Sequence, residues 1–332
     1  MTLFPTEVPG PGSLSATAAP ESMTAVTAFA PASISNVCCG FDVLGAALTE
    51  PGDRVTVRRT EKPGVHLVSV TGDDGRLPRE PEANTATVAA KALLQAVRYA
   101  GPGIEVELDK NMPLASGLGS SAASAVAAVV AVDALLGFEA SRERLLAAAL
   151  EGERVACGAI HADNAAPSLY GGFVLVRSTD PLDVVTLEAP EELWLAMLHP
   201  ELEIATREAR NMLPRALPLS TAATQWGNLG ALVAALHQED WDLLGRALVD
   251  VVAEPVRAKL VPGFDAMVAA AREAGAVGAG LSGSGPSLFA LCRGETVAHT
   301  VADALLEACR AAGSEGRAWT SPVNREGARV VG

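Results

Sequence analysis

Alternating apolar and polar positions predict short strands along this chain, and longer apolar runs between them predict helices. The clearest alternation lies at residues 104–108, where Ile104, Val106 and Leu108 are apolar and the residues between them are acidic. Further strands are predicted at residues 26–30, 54–59, 65–70, 172–176, 193–198 and 317–320, the last of these closing the chain. Helices are predicted at residues 85–99, 120–136, 142–155, 221–237, 241–252, 264–273 and 296–310.

The order of these elements predicts the fold class and a division into domains. Two apolar strands flank a glycine- and serine-rich turn within residues 277–291, and such antiparallel hairpins mixed with helices favour an α+β fold over a doubly wound parallel sheet. A length of 332 residues suggests two domains. The Pro/Glu-rich patch at residues 189–192 is the predicted junction, so we expect domains at 24–190 and 191–332. Residues 1–23 lack periodicity and are predicted to be a disordered tail.

The loop before the predicted helix at 120–136 has the chemistry of a phosphate cradle. Its sequence from Pro113 is Pro-Leu-Ala-Ser-Gly-Leu-Gly-Ser-Ser-Ala-Ala-Ser. Gly117 and Gly119 allow a tight turn and a close approach to a ligand, and Ser120 and Ser121 open a helix whose free N–H groups attract an anion. The loop is not the common P-loop, because no Gly-Lys-Ser/Thr ends it and the nearest lysine lies upstream. Taken alone, such a loop is also compatible with a purely structural role.

Two polar runs could present side chains to a small substrate. Residues 30–45 combine Asn36 and Asp42 with small and apolar residues, and the alternative is that these two are a turn former and a helix cap. The run from His161 to Asn164 contains Asp163, and the alternative there is a structural polar turn. No further His or Cys lies at a spacing useful for a transition metal, so we do not expect such a metal there.

Arginine forks bind planar carboxylates, and two candidates occur in the second half of the chain. Arg207 and Arg210 lie in the run Thr-Arg-Glu-Ala-Arg, and Arg257 ends the run Glu-Pro-Val-Arg. A lone arginine is more often a solvated surface charge, which stays the alternative for each. Asn84 precedes the helix predicted at 85–99 and is its expected N-cap.

Composition narrows the classes of partner. The net charge of −14 argues against nucleic acid, which requires clustered basic residues, but a local field still permits an anionic nucleotide. The five cysteines have no paired metal spacing, which predicts reduced thiols and a cytoplasmic location. No apolar run reaches the ~20 residues of a membrane helix, so no membrane partner is expected.

Three motifs together resemble those of a known family. The loop from Pro113 resembles the ATP loop of the GHMP kinases, and residues 280–287 resemble the third motif of that superfamily. Residues 30–45 and the run from His161 to Tyr170-Gly-Gly resemble signatures of the homoserine kinases within it. The resemblance implies a two-domain α+β fold, with an N-terminal domain like domain 2 of ribosomal protein S5 and a ferredoxin-like C-terminal domain. It also implies ATP and Mg²⁺ as cofactors, transfer of a phosphoryl group to L-homoserine, and a homodimer.

The resemblance further assigns roles to individual residues. The residues implied for binding ATP are Asn84, Pro113, Leu114, Ala115, Ser116, Gly117, Leu118, Gly119, Ser120, Ser121, Ala122 and Ala123. The residues implied for binding homoserine are Asn36, Asp42, His161, Asp163, Arg210 and Arg257. Ser121 and Glu153 are the implied magnesium ligands, and these two with Asp163 form the implied catalytic set. Whether Asp163 or His161 acts as a general base or only grips the substrate stays open.

Two other functions remain possible at this stage. One is another small-molecule kinase of the superfamily, such as a mevalonate kinase. The other is a non-catalytic metabolite-binding protein on the same fold, since one fold hosts many functions. The complete glycine loop, with Ser121 and Glu153, favours an enzyme over the second of these.

Overall fold

The computed structural model describes residues 24–157 and 160–332, so the tail predicted at residues 1–23 lies outside the described residues. The strands are β1 (Ala25–Ser35), β2 (Leu44–Thr60), β3 (Val65–Thr71), β4 (Gly103–Asp109), β5 (Phe173–Thr179), β6 (Leu182–Leu187), β7 (Leu193–Pro200), β8 (Gly278–Leu281), β9 (Leu288–Arg293), β10 (Gly316–Pro322) and β11 (Arg329–Val330). The helices are α1 (Thr85–Ala96), α2 (Ser120–Leu136), α3 (Arg142–Cys157), α4 (Ala162–Tyr170), α5 (Thr206–Asn211), α6 (Leu219–Gln238), α7 (Trp241–Ala247), α8 (Glu254–Arg257), α9 (Phe264–Glu273) and α10 (Glu295–Ala311).

The first sheet is built around the long strand β2. Its order is β11-β1-β2-β4-β3, and β5 pairs with β2 and with β6. β2 pairs with β1 along most of its length, while its beginning pairs with β5 and its second half with β4. Only β3 and β4 run parallel in this sheet. Because β2 reaches from one end of the sheet to the other, it brings the loops after β1 and β4 into one framework.

Helices α1 to α4 pack against this sheet, and α2 lies at the centre of the layer. Residues on all its faces are buried, as expected of a helix that is apolar all round. Gly45 on β2 sets the distance to α4, because a Cβ at this position would overlap the backbone oxygen of Asp163. The sheet therefore holds the start of α4, and with it Asp163, at a fixed depth.

The second sheet has the order β10-β7-β9-β8, with every pair antiparallel. Its strands and helices follow the β-α-β-β-α-β succession of a ferredoxin-like fold, with the chain's additional helices inserted between β7 and β8. Along β7 the side chains alternate between two cores. Leu195 and Met197 join the core of the first sheet, while Ala196 and Leu198 face the core of α9 and α10. The fold class predicted from the sequence is confirmed.

Three local predictions require comment. Asn84 caps α1 as predicted, and its side-chain oxygen accepts a hydrogen bond from the backbone N–H of Ala86 at 3.1 Å. The helix predicted at 241–252 ends at Ala247, because Asp250 forms a turn by accepting the N–H groups of Val252, Ala253 and Glu254. Helix α4 was not predicted at all.

The prediction that the strand at 317–320 closes the chain is wrong. β11 follows it and pairs with β1, with Val330 opposite Ala28 and Arg329 opposite Phe29. A two-residue strand has too little periodicity to be read from sequence. The end of the chain thus returns to the first sheet, beside the strand that leads into Asn36.

Candidate active site

A cavity of about 470 Å³ lies where the loops of the two sheets meet. One end is formed by the glycine loop and the first turns of α1 and α2, and the other by the loop after β1, the start of α4 and residues of the second sheet's domain. Its lining includes Ser35, Asn36, Asp42, Asn84, Thr85, Lys110, Leu114, Ala115, Ser116, Gly117, Gly119, Ser120, Ser121, Ser124, Glu153, His161, Asp163, Asn164, Thr206, Arg210, Arg257, Gly283 and Ser284.

The glycine loop leads from β4 into α2 through left-handed backbone conformations. Ala115, Gly117 and Gly119 have φ angles of 52°, 77° and 67°, and Gly119 is the N-cap of α2 without a side-chain cap. The first N–H groups of the helix have no acceptor within the helix, so they are available to an anion. A Cβ on Gly117 would collide with the backbone oxygen of Ser282, so this glycine is required by contact with the other domain.

A buried ion pair supports the first turn of α2 from below. Lys110 donates to the carboxylate of Asp53, to the backbone oxygen of Ser120 at 2.8 Å and its hydroxyl at 2.7 Å, and to the hydroxyl of Ser124 at 3.0 Å. Both charged side chains are almost fully buried. Since a buried charge is tolerated only with such partners, this pair fixes the turn on which the phosphate cradle is built.

Sequence reasoning noticed Lys110 only as a lysine upstream of the loop and missed Asp53. One sequence signal could have indicated this ion pair: Asp53 directly precedes one predicted strand and Lys110 closely follows another, and the two side chains have opposite charges. Thr206, Ser35 and Ser284 also line the cavity and were not predicted. Ser35 and Ser284 lie within the runs 30–45 and 280–287 that the sequence analysis singled out, but neither serine was assigned a role there.

Glu153 and Ser121 are placed where they could hold a hard divalent cation. The Glu153 side chain is buried, and its Oε2 lies 3.7 Å from Nδ1 of His161. Its other oxygen, Oε1, has no hydrogen-bond partner in the part of the chain that the structure describes. A carboxylate oxygen without a partner, in a cavity that Ser121 and the anion-binding start of α2 also line, fits a hard cation that takes its remaining ligands from water and phosphate. Within residues 24–157 and 160–332, no cluster of three or more His, Cys, Asp or Glu residues is arranged to hold a metal by itself.

The far end of the cavity gathers charged groups of both signs. Asp42 accepts two hydrogen bonds from Arg210, at 2.5 and 3.4 Å. Arg257 is buried and donates to the backbone oxygen of Gly283 at 3.0 Å, and its Nε has no partner among the described residues. Burial lowers the pKa of Arg257, although a guanidinium stays charged at neutral pH. The neighbour Arg207 is exposed and does not line the cavity.

Asn36 joins this group to the second domain. Its backbone is left-handed, with φ of 67°, and its side chain accepts from the N–H of Asp42 and donates to the oxygen of Gly283, both at 3.0 Å. It is therefore a turn former as well as a cavity residue. The two interpretations that the sequence left open are both compatible with this geometry.

Asp163 is a buried acid at the start of α4. Its Oδ1 has no hydrogen-bond partner in the described part of the chain, and it faces the cavity with Asp42 and His161 nearby. Burial raises the pKa of Asp163 from 3.8 to about 7, and the charge of Asp42 acts in the same direction. A carboxyl group that titrates near neutral pH is suited to accept a proton or a cationic ligand.

Four residues of the predicted nucleotide set do not line this cavity. Leu118, Ala122 and Ala123 are fully buried in the core behind the loop. Pro113 lines a neighbouring cleft with Leu114 and His199. Ala122 and Ala123 lie on α2 directly after the cavity residue Ser121, and they face the core because adjacent residues of a helix point to different faces. The other predicted residues, from both ends of the site, do line the cavity.

The raised pKa of Asp163 predicts how stability depends on pH. Because the folded protein holds this proton more tightly than the unfolded chain, the stabilisation is complete below pH 3.8 and is lost as pH rises through about 7. Asp163→Asn removes this dependence. We expect its melting temperature, relative to wild type, to rise by about 4 °C between pH 5 and pH 8.

The measurement is thermal unfolding of both proteins without ligands across this range. Asp109→Asn, on an exposed residue at the end of β4, is the matched control and should keep a constant difference from wild type. A constant difference for Asp163→Asn as well would contradict the raised pKa.

Comparisons with known proteins place this arrangement in a family. A model described as the GHMP kinases N terminal domain matches residues 84–172, and one described as GHMP kinases C terminal matches residues 232–311. The homoserine kinase of Chloroherpeton thalassium is 49% identical over 93% of this chain and 100% of its own length. That of Xylella fastidiosa is 40% identical over 92% of this chain and 93% of its own length.

Solved structures give the same placement. The crystal structure of homoserine kinase from Cytophaga hutchinsonii matches with a TM-score of 0.91 and 48% identity, covering 94% of this chain and 98% of that one. A mevalonate kinase from L. major matches with a TM-score of 0.66 at 17% identity over 89% of this chain and 95% of that one, which shows a shared fold. In the described part of the chain, no helix has the length and apolar character needed to cross a membrane. The chain belongs to the homoserine kinase family of the GHMP kinases.

Proposed function

We propose that this chain transfers the γ-phosphoryl group of ATP to the side-chain hydroxyl of L-homoserine, giving O-phospho-L-homoserine for threonine biosynthesis. The observation that carries the proposal is the polarity of the cavity. An anion-binding helix start lies at one end, and Arg210 and Arg257 lie at the other with the partly exposed Asp42 and the buried Asp163. A nucleoside triphosphate and an amino-acid alcohol supply the charges that these two ends require.

The triphosphate would lie along the glycine loop. The N–H groups at the start of α2 would bind phosphate oxygens, and Asn84 at the start of α1 forms part of the opposite wall. Lys110, paired with Asp53, keeps the first turn of α2 in position by donating to the backbone oxygen and the hydroxyl of Ser120. We infer ATP as the donor from this geometry and from the family.

Magnesium is the cation we propose at Glu153 and Ser121. Bound there, it would neutralise negative charge on the phosphates. The protein's own part is the buried carboxylate, whose Oε1 has no partner among the described residues, and the hydroxyl at the helix start.

Homoserine would lie at the far end as a zwitterion. Its carboxylate would bind Arg210 and Arg257, and its ammonium and hydroxyl would lie towards Asp42, Asp163, Asn36 and His161. This arrangement pairs each substrate charge with an opposite charge of the cavity.

Catalysis on this geometry consists mainly of positioning and charge stabilisation. Asp163 could take the proton of the homoserine hydroxyl as the oxygen attacks phosphorus, because its pKa of about 7 allows it to be ionised and still accept a proton. It could equally hold the hydroxyl in line without taking the proton. Its depth in the site is compatible with both roles.

A mevalonate kinase is the closest rival function. Mevalonate carries a carboxylate but no ammonium, so the carboxylates of Asp42 and Asp163 would face each other without a cation between them. Leaving the carboxylate of the buried Asp163 without a cationic partner carries a desolvation cost, which favours an amino-acid substrate. A non-catalytic metabolite-binding protein would need neither the orphaned oxygen of Glu153 nor the intact glycine loop.

We further propose a boundary at residues 190 and 191 between an ATP-binding domain, 24–190, and a C-terminal domain, 191–332. The last residues of the second segment pair with β1 of the first. We place the protein in the cytoplasm, because the thiols of Cys38, Cys39, Cys292 and Cys309 are free and buried, which suits a reducing compartment.

A homodimer is the proposed assembly, and α6 offers a surface for it. Leu219 and Trp226 on this helix are 75% and 62% exposed. The helix carries no Asp, Glu, Lys or Arg over its 20 residues, although the whole chain has a net charge of −14. Two chains that meet at the uncharged α6 surface repel each other less than two chains that meet at the acidic surface elsewhere. Gly230, one turn after Trp226, leaves open space into which the partner's indole would fit about a twofold axis.

The proposed reaction predicts a clear order of substrates. With ATP and magnesium, we expect kcat/KM for L-homoserine to exceed that for mevalonate, galactose and shikimate by at least about 30-fold, because only homoserine pairs the charges at both ends. The measurement is ADP release with each alcohol under identical conditions. Equal or better use of mevalonate would overturn the assignment.

The magnesium assignment predicts different effects for two neighbouring glutamates. Glu153→Gln should lower turnover by about 100-fold or more, because the buried oxygen loses its charge. Glu151→Gln should have little effect, since Glu151 does not line the cavity and lies 3.4 Å from Arg154. Ser121→Ala should also lower turnover and be partly restored by excess magnesium. Titrations of activity against magnesium test this, and similar mild effects of both glutamate changes would refute it.

The α6 surface predicts the behaviour in solution. Wild type should be a dimer by light scattering coupled to size-exclusion chromatography, and Trp226→Glu should be a monomer, because two buried carboxylates would face the partner. Val68→Glu, at an exposed position on β3, is the matched control and should stay dimeric. A monomeric wild type, or a dimeric Trp226→Glu, would rule out this interface.

A further inference from the structure

The ring of Phe41 lies near two cavity-lining arginines that come from different helices. The guanidinium of Arg257 is 5.3 Å from the centre of its ring, and that of Arg210 is 6.0 Å away. Both distances are within the range of cation–π attraction, in which the negative face of the ring attracts a positive charge. Phe41 directly precedes Asp42 in the chain, so the ring and the carboxylate share one turn.

The ring is not explained by core packing. Phe41 is only partly buried and belongs to neither of the two hydrophobic clusters formed by the described residues. Aromatic residues make up only 4% of this chain, so one placed outside the core needs another reason. Its contacts with two cations supply that reason.

The two arginines have few other contacts that could set their spacing. Arg210 is on α5, with six residues, and Arg257 ends α8, with four, and helices this short are not rigid by themselves. Arg257 is held by the oxygen of Gly283, while Arg210 is held by the carboxylate of Asp42. The two like charges also repel each other. Among the described residues, the ring of Phe41 and the charge of Asp42 are the two interactions that the arginines have in common.

Substrate binding would remove one of these contacts. In the free site Arg210 is paired with Asp42, and in the proposed pose the zwitterion replaces that pair with its own carboxylate on Arg210 and its ammonium on Asp42. Arg210 then loses its attachment to the loop of Asp42. The ring keeps the guanidinium near Arg257 while this exchange takes place.

We propose that Phe41 is a positioning residue, which holds Arg210 and Arg257 at the spacing of one carboxylate and so sets the preference for an alcohol that carries one. The inference rests on the proposed function, since it assumes that the two arginines receive the substrate carboxylate. Phe41 is then the residue that keeps Arg210 and Arg257 together after the ion pair between Arg210 and Asp42 opens.

The test compares substrates with and without the carboxylate. Phe41→Leu should raise KM for L-homoserine about tenfold, the loss expected for two cation–π contacts, and change KM for ATP by less than about twofold. It should leave kcat/KM for 3-aminopropan-1-ol, which has the ammonium and hydroxyl but no carboxylate, close to the wild-type value. Phe41→Tyr, which keeps the ring, should restore most of the preference for homoserine. Phe41→Met is a second variant without a ring and should behave as Phe41→Leu does.

Phe29 provides a matched control. Its ring also lies near two guanidiniums, with Arg329 at 5.0 Å and Arg54 at 5.6 Å, but neither of these arginines lines the cavity. Phe29→Leu should leave the ratio of the two substrates unchanged. Melting temperatures of all variants separate a folding defect from a change in preference.

The outcomes distinguish a failure of the proposed role of Phe41 from a failure of the proposed homoserine kinase activity. If wild type does not phosphorylate homoserine, the proposed function and this inference both fail. If wild type does so, but Phe41→Leu and Phe41→Met weaken the use of both substrates equally, or of neither, the proposed role of Phe41 alone is wrong.

Discussion

The site depends on the backbone of one residue, Gly283, where the two halves of the fold meet. Its N–H donates to the backbone oxygen of Ser35 at 3.1 Å, and its carbonyl accepts from Asn36 and from Arg257, both at 3.0 Å. Next to it, the Ser282 hydroxyl donates to the oxygen of Gly117 at 2.6 Å. The phosphate loop, the loop that carries Asp42 and the second arginine are thus all tied to one turn. A side chain on Gly117 would not fit this contact, which explains why glycines occur on both sides of it.

Local chemistry was predictable from the sequence where it is encoded within a few residues. The glycine loop, the cap formed by Asn84 and the hairpin of β8 and β9 each have a signal shorter than one turn or one strand. The predicted substrate residues Asn36, Asp42, Asp163, Arg210 and Arg257 line the cavity, although their motif resemblance supplied the roles. The choice of Arg210 over Arg207 also agrees with the geometry, because only Arg210 faces the cavity.

Features that depend on distant partners could not be predicted. Lys110 and Asp53 are 57 residues apart in the sequence. They come together as a buried ion pair only when β2 and β4 lie side by side. The end of α7 depends on Asp250, which also accepts a hydrogen bond from Gln225 on α6, and no local pattern reports that contact. The position of β11 depends on an exposed edge of β1 some 300 residues earlier. The role of Phe41 has the same origin, since its two arginines approach it only in the folded chain.

The charges of the free site explain how an acidic protein can bind an anionic nucleotide and an amino acid. Lys110 is neutralised by Asp53 below the helix, and Arg210 by Asp42 at the entrance to the far end. Arg257, Glu153 and Asp163 each keep a polar atom without a hydrogen-bond partner among the described residues. Burying a polar atom without a hydrogen-bond partner costs desolvation free energy. A ligand that supplies the missing partners offsets this cost when it binds. The proton that Asp163 holds up to about pH 7 lowers that cost in the absence of substrate. The local arrangement of charge therefore selects the ligand, while the net charge of the surface has little influence inside the cavity.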